Sequence, residues 1–189
     1  MKQTSLDIFV ERYAEVAGHV HSAHSPAEAA ERLGEIVAAC RPTKAVLGKL
    51  FGDLEAEIAG VLHQQGVSLL SLQGLRGAEL LERLSEAEMG LSQVDFAIAE
   101  TGTVVEVSEN DVDRLISSLP LTHVAFLRAR EIVPTLAEVA DRLREIYARC
   151  GPNCNITFIS GPSRTADIEM KLFLGVHGPQ ASHVIVCDW

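Results

Sequence analysis

The chain has 189 residues, 47% hydrophobic and 22% charged, which is enough for one domain with a sizeable core. With 16 basic against 26 acidic residues the formal charge is -10, which argues against nucleic acid and anionic membranes as partners, since both call for a basic face. No apolar run approaches the roughly 18 residues of a membrane helix. Asp7, Glu11 and Arg12 interrupt the apolar core that a signal peptide needs, so the expectation is a cytoplasmic protein with its four cysteines reduced.

In chain order, Leu6, Phe9, Val10, Tyr13, Val16 and Ala17 recur at helical spacing and predict an amphipathic helix from about Thr4 to Val20. The segment from His19 to His24, with three histidines, reads as a polar connector, because no Cys or carboxylate at metal-ligand spacing joins them. Ser25 as N-cap, Pro26 in the first turn and Glu28 as the partner of a capping box open the next helix. Its buried stripe is Ala30, Leu33, Val37 and Cys40, and Pro42 ends it. A strand over 44–48, a helix over 54–65 with Leu54, Ile58, Val61 and Leu62 inward, a strand over 67–72 and a leucine-rich helix over 77–87 follow.

Strands over 94–99 and 103–107 flank Glu100-Thr101-Gly102, and Gly102 supplies the positive φ of a hairpin turn. A short helix over 111–118, a strand over 121–128 and a helix opening at Pro134 and Thr135 come next. The stripe of that helix is Leu136, Val139, Leu143, Ile146, Tyr147 and Cys150. The apolar run 155–160 is a strand, Gly161-Pro162 breaks it, and Ser163 or Thr165 is placed to cap a helix; 183–187 is the last strand. Alternating helices and strands predict an α/β domain over residues 1–189, an open, mostly parallel sheet with helices on both faces and a β-hairpin at 94–107. Residues 1–40 form an N-terminal helical segment that packs on the domain or beside it.

Chemistry concentrates in two stretches. A polar turn behind a strand aims backbone N–H groups at one point, which suits a carboxylate or phosphate. Ser160, Gly161, Ser163, Arg164, Thr165 and Asp167 supply such a turn, with Arg164 as a two-pronged donor. Asp167 and Glu169 would equally complement the dipole of the expected helix without any ligand. Glu100, Thr101, Gly102 and Thr103 sit at a strand end, where open α/β sheets gather ligands, and Glu100 is the candidate base. His177, between Gly175 and Gly178, is a candidate proton carrier. It reaches the pocket only if the segment after Glu169 is a strand or the last strand runs antiparallel; a crossover helix over 164–174 would leave it at the far end of the sheet. Cys150-Gly-Pro-Asn-Cys154 lacks the four ligands of a zinc or iron–sulfur site and reads as core cysteine, and no metal site is expected. Dinucleotide, P-loop, nucleophile-elbow and HExxH signatures are absent from the sequence.

Ser160 to Glu169, Gly175 to Pro179 and, upstream, Glu100-Thr101-Gly102-Thr103 together resemble the LUD-domain family, specifically the lactate utilization protein C (LutC/YkgG) group. The resemblance is close from about Val94 onward. It implies a NagB/RpiA/CoA-transferase-like fold and a LutC-like subunit in the oxidation of L-lactate to pyruvate. It also implies partner subunits carrying iron–sulfur clusters. No electron-acceptor site is visible in the sequence, so no cofactor is expected on this chain; the polar turn predicts a small carboxylate or phosphate as its ligand, and a homo-oligomer is left open. The alternative is a stand-alone enzyme on a small phosphorylated or CoA-linked substrate, of isomerase or transferase type, with Glu100 as base.

Overall fold

A computed structural model of the chain describes residues 3–151, 154–166, 172–175 and 177–189, with backbone alone at 165, 166 and 172–174. Thr4 and Asp7 form a reciprocal capping box that starts α1 (Ser5–Glu15), which ends earlier than its apolar spacing predicts. The reason is β1 (His19–Ala23): the histidine segment is a strand, not a connector. Its alternation is masked because it lies at a sheet edge, where half its surface meets solvent.

Ser25 caps α2 (Pro26–Cys40), its hydroxyl accepting from the Glu28 N–H at 3.2 Å. Glu28 itself reaches back to the His24 N–H, one residue beyond the reciprocal partner expected of it. There follow β2 (Lys44–Leu47), α3 (Glu55–Gln64), the short β3 (Ser68–Leu69), α4 (Gly77–Ser85), β4 (Met89–Gln93), β5 (Phe96–Ile98), β6 (Thr103–Ser108) and α5 (Asp111–Ile116). The chain continues through β7 (Thr122–Arg128), a 3-10 turn at Ala129–Glu131, β8 (Ile132–Val133), α6 (Val139–Arg149), β9 (Asn155–Ile159), β10 (Arg164–Ala166), β11 (Leu172–Leu174) and β12 (Ala181–Cys187).

Six strands form one parallel sheet in the order β1-β12-β7-β4-β2-β3. The expected hairpin exists, with Phe96 opposite Val105 and Ile98 opposite Thr103, but it belongs to a second sheet, β8-β5-β6-β9. Side-chain alternation sorts the layers. Val124, Phe126, Ile185 and Cys187 face α2 and α3, where Leu33, Ile36, Ile58 and Leu62 complete one core. Ala125, Leu127, Val184 and Val186 face the opposite way, onto Ala97, Ala99 and Val104 of the second sheet and Phe9 and Tyr13 of α1. The outer face of the second sheet, with Phe96, Ile98 and Val105, is covered by α6 through Val139 and Ile146. Leu136 and Tyr147, read from the sequence as part of that stripe, are exposed instead: Leu136 precedes the helix, which starts only at Val139, and Tyr147 follows the inward-facing Ile146 by one residue and so points to another face.

Two further expectations are corrected. The segment after Gly161-Pro162 is not a helix: β10 pairs antiparallel with β11, Arg164 opposite Leu174. Cys150 and Cys154 are joined by a disulfide, with Cα atoms 5.4 Å apart, and pack against the α6 cluster, while Cys40 and Cys187 are free. The break of α6 at Cys150, whose ψ is 140°, turns the chain so that the Cys154 N–H reaches the Gly151 carbonyl at 3.1 Å. Among the described residues no helix is long and apolar enough to cross a membrane.

Phe9 and Tyr13 are fully buried, and each contributes about 1.5–3 kcal/mol by leaving water. The motif glycines make room for them. A Cβ on Gly102, at φ 57°, would lie 2.5 Å from the Arg12 backbone, and one on Gly161, at φ 75°, would lie 2.2 Å from the Val16 carbonyl oxygen. Gly102→Ala is therefore expected to cost about 2–4 kcal/mol in urea unfolding. Gly52→Ala, with no atom within 4 Å of its Cβ, should stay within about 0.5 kcal/mol of the parent.

Candidate functional site

The β5–β6 turn and the end of β9 bring part of the predicted constellation together. Thr101 Oγ1 donates to Thr103 Oγ1 at 2.8 Å, and Thr103 Oγ1 shares a hydrogen with Ser160 Oγ, also at 2.8 Å. Beyond this hydroxyl chain, Ser160, Gly161, Ser163, His177, Gly178 and Pro179 line a cavity of about 230 Å³, together with Ser117 and Thr157. His177 reaches it because β10 and β11 fold back on each other. The Gly175 N–H donates to the Ser163 carbonyl at 2.9 Å, and the Ser163 N–H donates to the Pro179 carbonyl at 2.9 Å. The same bonds remove the Ser163 amide from any anion cradle, and because Arg164–Ala166 is a strand, no helix dipole points at the turn from these residues.

Glu100 lies elsewhere. It is exposed, its N–H donates to the Pro134 carbonyl at 3.0 Å, and its Oε2 accepts from the Leu136 N–H at 3.0 Å, so it tethers the approach to α6 and does not line that cavity. Arg164 is exposed in β10, Thr165 lies opposite Phe173 in the same hairpin, and Asp167 falls outside the described residues.

A second polar region lies between the two sheets and escaped the sequence reading. Val104 points inward from β6, so alternation sends Glu106 and Ser108 inward too. Glu106 is 3% exposed, and its Oε2 has no hydrogen-bond partner. Its pKa is raised to about 7: burial is the main cause, the nearby Ser117 and Ser92 hydroxyls oppose it, and Asp113 and Asp95 add to it. His123, fully buried on β7, holds Ser92 Oγ at 3.0 Å through Nε2, while its Nδ1 has no partner. Burial drives its pKa down to about 4, so the ring is neutral. Each such orphaned buried atom costs about 1–3 kcal/mol unless a water or another polar group meets it.

The recess beside Glu106, about 30 Å³, is lined by Lys49, Ser92, Gln93, Asp95, Val107 and Asp113. Asp95 Oδ2 accepts from the Val107 N–H at 2.7 Å; desolvation raises its pKa, opposed by that bond and by Lys49, Arg142 and Arg149. The signal for this region was present in the sequence, as the lone carboxylate in Thr-Val-Val-Glu-Val and the imidazole in Thr-His-Val-Ala-Phe.

The family model described as LUD domain matches residues 6–187. The chain is 42% identical over 114 residues to lactate utilization protein C of Anoxybacillus flavithermus, covering 60% of this chain and 50% of that protein. It is 39% identical over 116 residues to lactate utilization protein C of Bacillus subtilis, covering 60% and 48%. The chain thus spans about half the length of these relatives. The crystal structure of a DUF162 family protein from Deinococcus radiodurans superposes with a TM-score of 0.64 at 24% identity, covering 98% of this chain and 99% of that one, which shows the shared α/β fold.

A raised carboxyl pKa means that the folded chain keeps a proton the unfolded chain has released, so stability present at low pH is lost as pH rises from about 4.5 through about 7. Glu106→Gln cannot ionise. Its stability relative to the parent should grow by about 2 kcal/mol between pH 5 and pH 8 in urea unfolding, and a constant gap would place the Glu106 carboxylate in water. His123, present in both proteins, lowers stability below pH 6.5 in each and cancels from the comparison.

Proposed function

The chain belongs to the LUD-domain family, and from that premise we infer that it serves in cytoplasmic L-lactate utilisation as a LutC-like subunit without a redox centre of its own. Its partners are subunits carrying iron–sulfur clusters, and its ligand is a small carboxylate or phosphate. The observation that carries the reading is the similarity to lactate utilization protein C across 60% of the chain. The geometry adds support. The cavity at Ser160, Ser163 and His177 offers hydroxyl and imidazole groups of the kind that hydrogen-bond a small anion. The apolar face of α1 is already packed on the domain, so partner docking falls to other surfaces.

The second reading, catalysis by this chain alone on a phosphorylated or CoA-linked substrate, needs a carboxyl able to exchange a proton near neutral pH. Glu106 fits that requirement better than Glu100, whose Oε2 is engaged by the Leu136 N–H.

Expressed in a bacterium that lacks its own lactate utilization protein C but retains the iron–sulfur subunits, the chain should restore growth on L-lactate. The double variant Ser160→Ala/His177→Ala should restore it at least ten-fold less well at equal protein level. Absence of rescue by the parent chain would overturn the lactate reading. Thermal stabilisation by a sugar phosphate or CoA but not by lactate would favour the second reading.

A further inference from the structure

The recess beside Glu106 lies at the topological switch point of the parallel sheet. In the order β1-β12-β7-β4-β2-β3 the chain passes from β2 outward to β3, then back across β2 to β4. Lys49, two residues beyond β2, and Gln93, the last residue of β4, stand at the carboxyl ends of these neighbours. The Gln93 N–H donates to the Lys49 carbonyl at 2.9 Å. Open α/β sheets bind small molecules in such a crevice.

Charge in this crevice is out of balance. Glu106, Asp95 and Asp113 line the recess with Ser92, Gln93 and one cation, Lys49. Lys49 is exposed and pairs with no carboxylate within 4 Å among the described residues. Glu106 meets the recess from the interior: only 3% of it is exposed, and its Oε2 has no partner. Asp95 accepts from the Val107 N–H and Asp113 from the Asn110 side-chain amide, neither of them a cation. The chamber of about 510 Å³ beyond the recess does not restore the balance, since its wall carries Asp95, Asp113 and Glu109 against Lys49 and Arg149. The recess has room for one water-sized group, and a cation seated there would meet the orphaned carboxyl and its two acidic neighbours together. Among the described residues no three His, Cys, Asp or Glu side chains converge to hold a metal ion. Metal–oxygen bonds of about 2.0–2.6 Å need that convergence, whereas an ammonium reaches a carboxylate at about 2.7–2.9 Å and suits a wider ring.

We propose that the recess takes the ammonium group of a small primary amine, hydrogen-bonded to Glu106, Asp95 and Asp113, with its alkyl tail in the chamber beside Val107 and Ile146. This ligand does not rest on the lactate reading, and the site is separate from the Ser160–His177 cavity. Binding is linked to pH through Glu106. Around that carboxyl stand Asp113 of α5, Asp95 of the β4–β5 turn and Lys49 beyond β2, with His123 of β7, a neutral ring, bonded to Ser92. Glu106 pairs with an ammonium as the carboxylate. Its pKa of about 7 makes the ionised fraction, and with it the affinity, rise about ten-fold from pH 6 to pH 8.

The test is isothermal titration of the purified full chain at fixed low ionic strength with propylammonium, tetramethylammonium and propionate. Propylammonium keeps its proton between pH 6 and pH 8, as a lysine does. Tetramethylammonium has the charge but no N–H, and it is too bulky for a space of about 30 Å³. Propylammonium should bind roughly ten-fold more tightly than either, with the pH dependence given above. Glu106→Gln should weaken it roughly ten-fold and flatten the pH profile. Lys49→Met, at an exposed position, should bind it roughly three-fold more tightly, because a competing cation is gone. Should Glu106→Gln fail to fold, the parent's pH profile and Lys49→Met decide the matter. Equal binding of tetramethylammonium, or no gain in Lys49→Met, overturns the proposal, since either leaves only a diffuse counterion effect. Tighter binding of propionate overturns it too. Growth rescue on L-lactate tests the lactate reading and is independent of all these outcomes.

Discussion

The packing of the β5–β6 hairpin onto one face of the parallel sheet is the contact on which the rest of this molecule depends. Ala125, Leu127, Val184 and Val186 present small and β-branched side chains to Ala97, Ala99 and Val104, and small partners let the two sheets approach closely. The hairpin thereby leaves the main sheet and forms its own, with β8 and β9 at its edges. α1 closes the same layer. Tyr13 contributes both its ring and a buried hydrogen bond of 2.6 Å to Ser182, so the helix is part of the core.

The same packing creates the polar interior. Once Val104 must face inward, Glu106 two residues later faces inward too, and so does His123 two residues before Ala125. Apolar burial of the neighbours carries a carboxyl and an imidazole out of water, and both shift toward their neutral forms. A carboxyl held near half protonation, beside a neutral histidine bonded to Ser92, can donate or accept without leaving a bare charge in the interior. Leaving Glu106 Oε2 and His123 Nδ1 buried without a partner costs stability, a pattern common where a site is built.

The motif residues divide along the same line. Gly102 and Gly161 serve the approach of α1, and Glu100 ties the hairpin turn to the start of α6. Thr101, Thr103 and Ser160 knit the hairpin to β9 by consecutive hydroxyl contacts. Ser163 and His177 are brought to one cavity by backbone bonds across the β10–β11 arm. A sequence motif in this fold therefore reports architecture as much as ligand contact.

Much of the fold was legible in the linear chain, because capping and periodicity are local properties. Ser25 and Pro26 announce α2, Gly102 announces the hairpin, and β-branched runs mark β6, β7 and β12. β1 was not legible, since an edge strand with exposed histidines carries little apolar signal, and the polar Ser92 and Gln93 hid β4. The turn after Gly161 reads equally well as a helix cap or a strand start, and only pairing with β11 decides it. Of the site, residue type alone nominated Ser160, Ser163 and His177, whereas Glu106 and His123 acquire meaning only through burial. Which face a strand hides, and what lies above it, depends on residues far away in the chain, so the sequence determined the elements and the tertiary structure decided which polar groups lie out of water.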